Sequence, residues 1–249
     1  MYYDGAHSVT FESLDGEVRK NTWDDWYLIP MSRPTMSIPG AQNKFVEIPG
    51  MDGSYDISDY LRDDTAFTDR SGSFEFVVDN EHADWLTIYR DIITFLHGQR
   101  FRMILQDDPD WYYEGRFTMG EWKSEPARSQ VTISYRVSPF KHSIYSEFVD
   151  KIIWDTFCFE RDMDWSSLYH VELTNGETKT FDIPSYGVKH TVSIRLVSGS
   201  VTAVYGGYRR TIDTPDQVKT LGTGSRTGTD ILTVTGTGVF DIGWQKWSL

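Results

Sequence analysis

The sequence predicts an α+β domain of β-sheets and one helix, followed by an all-β sandwich or jelly roll. Three observations carry this reading. Apolar and polar residues alternate over most of the chain, the period of half-buried strands. One stretch, Trp85 to Leu96, instead repeats apolar residues at three- and four-residue steps, the period of a helix lying across a sheet. The pattern also changes at Pro139-Phe140-Lys141, after which turn residues recur at short intervals. The expected domains are therefore 1–141 and 142–249.

In the first domain Ser8 to Ser13 alternates, and Asp15-Gly16 is a hairpin-turn signal behind it. Asp25 to Pro30 places Trp26 and Leu28 on one face of a strand and Tyr27 and Ile29 on the other. Pro30, Pro34, Pro39 and Pro49 restrict the next stretch to loops and short edge strands. Ser73 to Val78, Arg100 to Leu105, Arg116 to Trp122 and Val131 to Val137 are strands. The helix is expected to be capped by Asp79 or Asn80, to run about four turns with Trp85, Ile88, Ile92 and Leu96 inward, and to close at Gly98.

The second domain begins with an aromatic, acidic connector from Ile153-Trp154-Asp155 to Asp164-Trp165. About eight short strands follow, at Tyr169–Leu173, Lys179–Ile183, Val192–Leu196, Val201–Tyr205, Tyr208–Ile212, Gln217–Leu221, Leu232–Thr235 and Phe240–Trp244. That succession is the signature of a sandwich.

Composition narrows the function. Aromatic residues reach 15% with nine Trp, which favours strands and supplies contact area. The formal charge is −13. Residues 1–140 carry 13 basic against 24 acidic side chains, a balance of −11, and the remainder 11 against 13, a balance of −2. Such a chain does not bind nucleic acid by neutralising phosphates. Met1 to Gly5 has no basic start or apolar run, so no secretory signal is expected, and no stretch approaches the roughly 20 apolar residues of a membrane span. Cys158 is the one cysteine, which excludes an intrachain disulfide and reads as a small core residue.

No catalytic constellation emerges. Asp107-Asp108-Pro109-Asp110 concentrates carboxylates, but it lacks the spaced ligands and distal Glu of a calcium loop and reads as a turn between strands. The six His are scattered, with no zinc-ligand spacing. Gly222 to Thr229 is glycine-rich yet has no Lys and no following helix, so it is a hairpin turn and not a phosphate loop. No cofactor, no metal and no enzyme activity are expected. Exposed aromatics of a sandwich can hold sugars, and Tyr208 and Trp247 are the candidate saccharide contacts.

Several short motifs then occur together in order. Val46-Glu47-Ile48-Pro49-Gly50-Met51-Asp52-Gly53-Ser54-Tyr55-Asp56-Ile57-Ser58 is followed by Phe67-Thr68-Asp69-Arg70 and the strand Ser73 to Val78. Next come Phe95-Leu96-His97-Gly98, Asp107-Asp108-Pro109, Tyr112-Tyr113-Glu114-Gly115-Arg116 and Pro139-Phe140-Lys141. This series resembles the distal tail protein family of siphophages, the phages and prophages with long non-contractile tails that infect mainly Gram-positive bacteria. Asp230 to Gly238, leading to Trp247 and Leu249, is similar to the final hairpin of such proteins. Met51 stands where the family often has a basic residue.

The resemblance implies a structural virion protein, made in the host cytoplasm and residing at the tail tip. It implies a homo-hexamer, as one ring or two stacked rings, formed by the first domain beneath the tail tube protein. The tail-tip protein and tape measure would dock opposite the tube. The second domain, galectin-like, would point outward to receptor-binding or baseplate proteins. Pro49, Gly50, Asp52, Gly53, Asp69, Arg70, Gly98, Gly115 and Arg116 are the motif positions with structural roles; Asp69 and Arg70 have the charges to pair, within or between subunits, and the sequence assigns a partner to neither. The alternative is a carbohydrate-binding module for a cell-wall glycan.

Overall fold

The computed structural model describes residues 5–58, 65–78, 84–120, 129–144, 169–184, 190–223 and 229–249. Cys158, the connector before residue 169, and the tip of the glycine-rich hairpin at 224–228 lie outside them. One compact unit spans Met1–Lys141 and a second His142–Ser248.

In the first unit, β1 (Val9–Glu12), β2 (Arg19–Asn21), β3 (Leu28–Pro30), β4 (Phe45–Glu47), β5 (Ser54–Asp56) and β6 (Arg70–Val78) precede helix α1 (Trp85–Leu96). Then come β7 (Arg100–Leu105), β8 (Trp111–Met119) and β9 (Gln130–Val137), with β10 (Lys141–Ser143) crossing the unit boundary. Antiparallel pairing orders the strands β2-β1-β7-β8-β9-β6-β3. The sheet curls until its ends approach, and Leu28 N–H donates to Thr22 O at 2.8 Å. Strand alternation does what the sequence pattern asks, as β9 buries every second residue from Val131 to Val137. The inward side chains and the helix form one cluster, with Phe11 edge-on to Phe117 at 5.0 Å between ring centres.

Helix α1 fills the curl through Ile88, Ile92 and Leu96, all buried; Trp85 is half-buried. Its cap is Asp84, a correction to the expected Asp79 or Asn80. The Asp84 carboxylate sits three residues before Thr87 and accepts from both its N–H (3.2 Å) and its hydroxyl (2.8 Å). The helix is therefore twelve residues long, shorter than the expected four turns. On its outer side Asp91 accepts from Lys20 Nζ at 2.6 Å and from Trp26 Nε1 at 2.7 Å, tying the helix to the first hairpin. Two strand boundaries also move. Tyr27 takes a left-handed backbone (φ 53°), so the chain turns there and β3 starts only at Leu28. Strand β8 begins at Trp111, directly after the Asp108-Pro109 turn, five residues before the expected start.

The second unit is the all-β sandwich, built with fewer and longer strands than expected: β11 (Tyr169–Pro184), β12 (His190–Tyr205), β13 (Tyr208–Ile212), β14 (Val218–Thr223) and β15 (Thr229–Ser248). Six of the eight expected short strands are the halves of β11, β12 and β15. Each long strand bends in the middle, and the bends lie side by side. Gly238 faces both Leu173 and Gly199, and Gly236 faces Glu177 and Val201. A Cβ on Gly199, Gly236 or Gly238 would come within 2.2–2.4 Å of a backbone oxygen on the facing strand. No side chain fits that approach, so the glycines permit the bend. The bend makes two layers from one set of strands. One holds β11 and β12 N-terminal halves, the β15 C-terminal half and β14; the other holds the complementary halves and β13. Both line a single core that includes Leu196, Tyr205, Leu232, Phe240 and Trp244.

Polar groups lock this unit. Tyr205 hydroxyl donates to Asp230 at 3.1 Å and meets His190 Nε2 at 2.8 Å; burial first, then Asp230, pushes the phenol pKa well up, so it remains a donor. Across one outer face His170, Asp241 and Arg195 stand in register, with Asp241 taking His170 Nδ1 at 2.7 Å and Arg195 Nε at 3.0 Å. Burial pushes the Asp241 carboxyl up, but the hydrogen bonds from His170 and Arg195 and their charges outweigh it and hold it below the usual carboxylate range.

Two measurements check this account. Leu96→Ala is expected to cost about 2–5 kcal/mol in denaturant unfolding, whereas Leu86→Ala, on the exposed side of the same helix, should stay within about 0.5 kcal/mol; equal effects would mean the helical face is misassigned. Because the folded Asp241 pKa lies below its unfolded value, its contribution is complete above about pH 4 and is lost as pH falls through the folded value. The Asp241→Asn chain should melt lower than wild type at pH 7, with the gap closing in acid; a gap independent of pH contradicts the assignment.

Candidate functional site

Residues 40–56 form an arm in which every residue is exposed. Its core is the β4–β5 hairpin, in register Phe45 with Asp56, Val46 with Tyr55 and Glu47 with Ser54. Directly opposed residues share a face, so Val46 and Tyr55 lie on one side, while Phe45, Glu47, Ser54 and Asp56 lie on the other. Ile48 and Met51, nearer the tip, are exposed as well. The tip carries Pro49, Gly50, Asp52 and Gly53. Met51 N–H donates to Ile48 O at 3.0 Å, and Gly50 and Gly53 adopt φ near +84° and +82° with open space around them. Those glycines are required for backbone conformation and not for room.

The base of the arm is fixed. Thr68 N–H donates to Gly40 O and Gln42 N–H to Ala66 O, both at 2.8 Å, and Ala41 bridges to Phe67. Phe67 meets Phe140 edge-on at 5.9 Å. Beneath lies Arg70, only 5% exposed. Its Nε donates to Pro139 O at 2.8 Å, its Nη1 to Ser37 O at 2.6 Å, and its guanidinium lies over the Tyr113 ring at 5.6 Å. Tyr135 hydroxyl accepts from Ser37 N–H at 3.2 Å. Burial lowers the Arg70 pKa, and the two tyrosines oppose the shift. An Asp69–Arg70 pair does not form within the chain. Arg70 opens β6 and turns inward, whereas Asp69, the residue just before the strand, accepts from Arg136 Nε on the outer face at 2.8 Å.

The remaining motif residues gather at the same end of the sheet. Arg70, Val137 and Gly115 stand side by side across β6, β9 and β8. A Cβ on Gly115 would lie 2.2 Å from Arg136 O, which excludes any larger residue. Arg116 Nη1 donates to Gly98 O at 3.0 Å, and Gly98 N–H donates to Phe117 O at 2.7 Å, fastening the helix end to β8. In the next row, Arg100, Arg116 and Arg136 are directly opposed across β7, β8 and β9, and all three are exposed. Sequence reading did not find this row. Its members lie 16 and 20 residues apart in three separate strands, and only the register joins them.

Elsewhere, the acidic turn is occupied by other side chains of the protein. Asp107 holds His7 Nδ1 and Arg33 Nε, each at 2.9 Å, and Asp108 holds Lys141 Nζ at 2.6 Å. Among the described residues no group of three His, Cys, Asp or Glu is placed to hold a metal, and no helix is long and apolar enough to cross a membrane. Of the two saccharide candidates, Tyr208 is 67% exposed at the β12–β13 turn. Trp247 is half-buried, its ring edge-on to His142 at 4.9 Å.

No family model and no curated protein sequence matches the chain. Among solved structures it is similar to the Dit protein (gp 19.1) of phage SPP1, described as a paradigm of the hub adsorption apparatus in phages infecting Gram-positive bacteria. The TM-score is 0.57 at 14% identity, over 97% of this chain and 99% of that one. At that identity the likeness is one of fold, and it extends over both units.

Arg70 provides the test of the anchor. Arg70→Met leaves two carbonyls without their charged donor and should cost about 2–3 kcal/mol in thermal or denaturant unfolding. Arg70→Lys should recover little of that, since a single ammonium lacks the planar fork that reaches two carbonyls. A lysine variant with wild-type stability would show that only the charge matters.

Proposed function

We propose that this chain is the hub of a siphophage tail tip: its first units close a six-membered ring at the distal end of the tail tube, and its sandwich units face outward toward host-attachment proteins. The observation that carries the reading is the full-length likeness to a phage hub protein, helix-bearing sheet unit first and bent-strand sandwich second. The ordered motifs of the first unit support it, because all but the Asp107-Asp108-Pro109 turn fall on one structure: the arm, its anchor and the adjoining corner of the sheet. The tail tube protein, the tail-tip protein and the tape measure are the partners that this placement requires.

The ring reading constrains which surface faces a DNA channel. A polyanion passes a like-charged wall but is retained by clustered arginines through counterion release. The outer face of β7–β9 carries Arg100, Arg116 and Arg136, so that face belongs away from the channel. The acidic balance of residues 1–140 is available for the wall.

Negative-stain electron microscopy of the purified chain, with light scattering, tests the proposal. Six-fold rings are expected, with a mass of about six or twelve times 28.8 kDa. A species of one-chain mass at every concentration, still unassembled when tail tube protein is added, overturns the hub reading.

A further inference from the structure

We propose that the arm of residues 40–56 is a latch that seats its Val46–Tyr55 face on a second copy of this chain. The inference rests on the ring reading and names the contact that closes it. Its first support is a mismatch between pattern and burial. The register of β4 and β5 places Val46 and Tyr55 opposite one another, and Ile48 follows directly after β4. This is the binary pattern of a hairpin with one face covered. Among the described residues nothing covers it: Val46, Ile48, Met51 and Tyr55 are all exposed, and neither buried cluster includes any of them. A two-stranded hairpin is marginal in water without a surface to lie on.

The second support is the fixed base. The bonds from Gly40 and Gln42 to Thr68 and Ala66, seated over Arg70, present the hairpin in one place. A pre-placed element loses less freedom on docking than a loose segment would. Size is the third. Seventeen consecutive exposed residues are most of what one partner contributes to a standard protein interface, and far more than a small ligand contacts.

Charge selects the kind of partner. The arm holds Lys44 against Glu47, Asp52 and Asp56, a balance of −2. Anionic lipid and nucleic acid both repel such a segment, which leaves a protein surface with apolar residues of its own. The same unit offers one at the β1–β2 turn, where Leu14 and Val18 are exposed beside Arg19. Insert and receiving surface then lie on different parts of each copy. A contact of that kind is head-to-tail, and it builds rings when its rotation closes.

The experiment uses the full chain in two forms. First, Val46→Asp with Tyr55→Asp places carboxylates on the latch face without touching either core. Its melting temperature should equal wild type, while the concentration needed to assemble rings, read by light scattering, should rise at least about tenfold. Second, a photo-crosslinking benzoylphenylalanine at Tyr55 should yield a two-chain product whose crosslinked peptide comes from a neighbouring copy. If wild type and the double variant form rings at the same concentration, the latch is overturned and the hub reading stands. If wild type never assembles, even with tail tube protein added, the hub reading falls. In that case a crosslink between two copies still supports the latch, and a crosslink confined to one chain overturns it.

Discussion

The first unit depends on one buried guanidinium. Taking Arg70 out of water is costly, and the fold offsets this with two backbone carbonyls and an aromatic face. The carbonyls belong to Ser37 and Pro139, far apart in sequence, so one side chain joins three segments: the proline-rich loop before the arm, the start of β6, and the end of the unit. Only a planar fork with donors on separate nitrogens can do this from one position. The arm follows directly from the loop that Arg70 holds. Its pose is therefore set by the same contact that closes the unit, and a fault there would disturb the stability of the unit and the placement of the arm together.

The second unit answers a different constraint with backbone alone. Strands long enough to serve two layers must bend without losing their ladders. Gly199, Gly236 and Gly238 permit this by removing every Cβ where β12 and β15 come closest. The result is one core lined by both halves of each strand, with Leu232 and Val234 from one half of β15 and Phe240, Ile242 and Trp244 from the other. The phase of burial carries across the bend in β15, and in β12 it moves by one residue at the register shift between Leu196 and Ser198, so Leu196 and Val201 both face the apolar interior.

These features explain what could be read in advance. Periodicity gave Ile88, Ile92 and Leu96 as the buried helix face, and alternation gave the inward residues of β7 and β9, because both signals are local. The cap was placed too early because several short polar residues precede the helix, and only the bond from Thr87 singles out Asp84. The bends were read as turns, since Gly, Ser and Asn promote both, and the difference lies in whether the neighbouring strand continues. Within the chain Asp69 and Arg70 do not pair with each other, because Arg70 is drawn inward to two backbone carbonyls while Asp69 meets Arg136 on the outer face. The arm was invisible for another reason. Val46 and Tyr55 alternate as half-buried residues do, and a sequence does not say whether the covering surface is in the same chain.

Charge is arranged on the outer face of the first sheet in a way composition hides. A domain with a balance of −11 still aligns three arginines across adjacent strands, an arrangement that like-charge repulsion disfavours. Glu114 and Asp69 relieve Arg100 and Arg136, and Arg116 turns to a carbonyl at the helix end, so each cation has a separate local partner. The row is thus held by its flanks and not by mutual contact. Exposed pairs of this kind contribute little to stability, and salt weakens them further. Their consequence is positional: a charge that barely stabilises the fold still decides which surfaces can lie against one another, and against a polyanion, in an assembly.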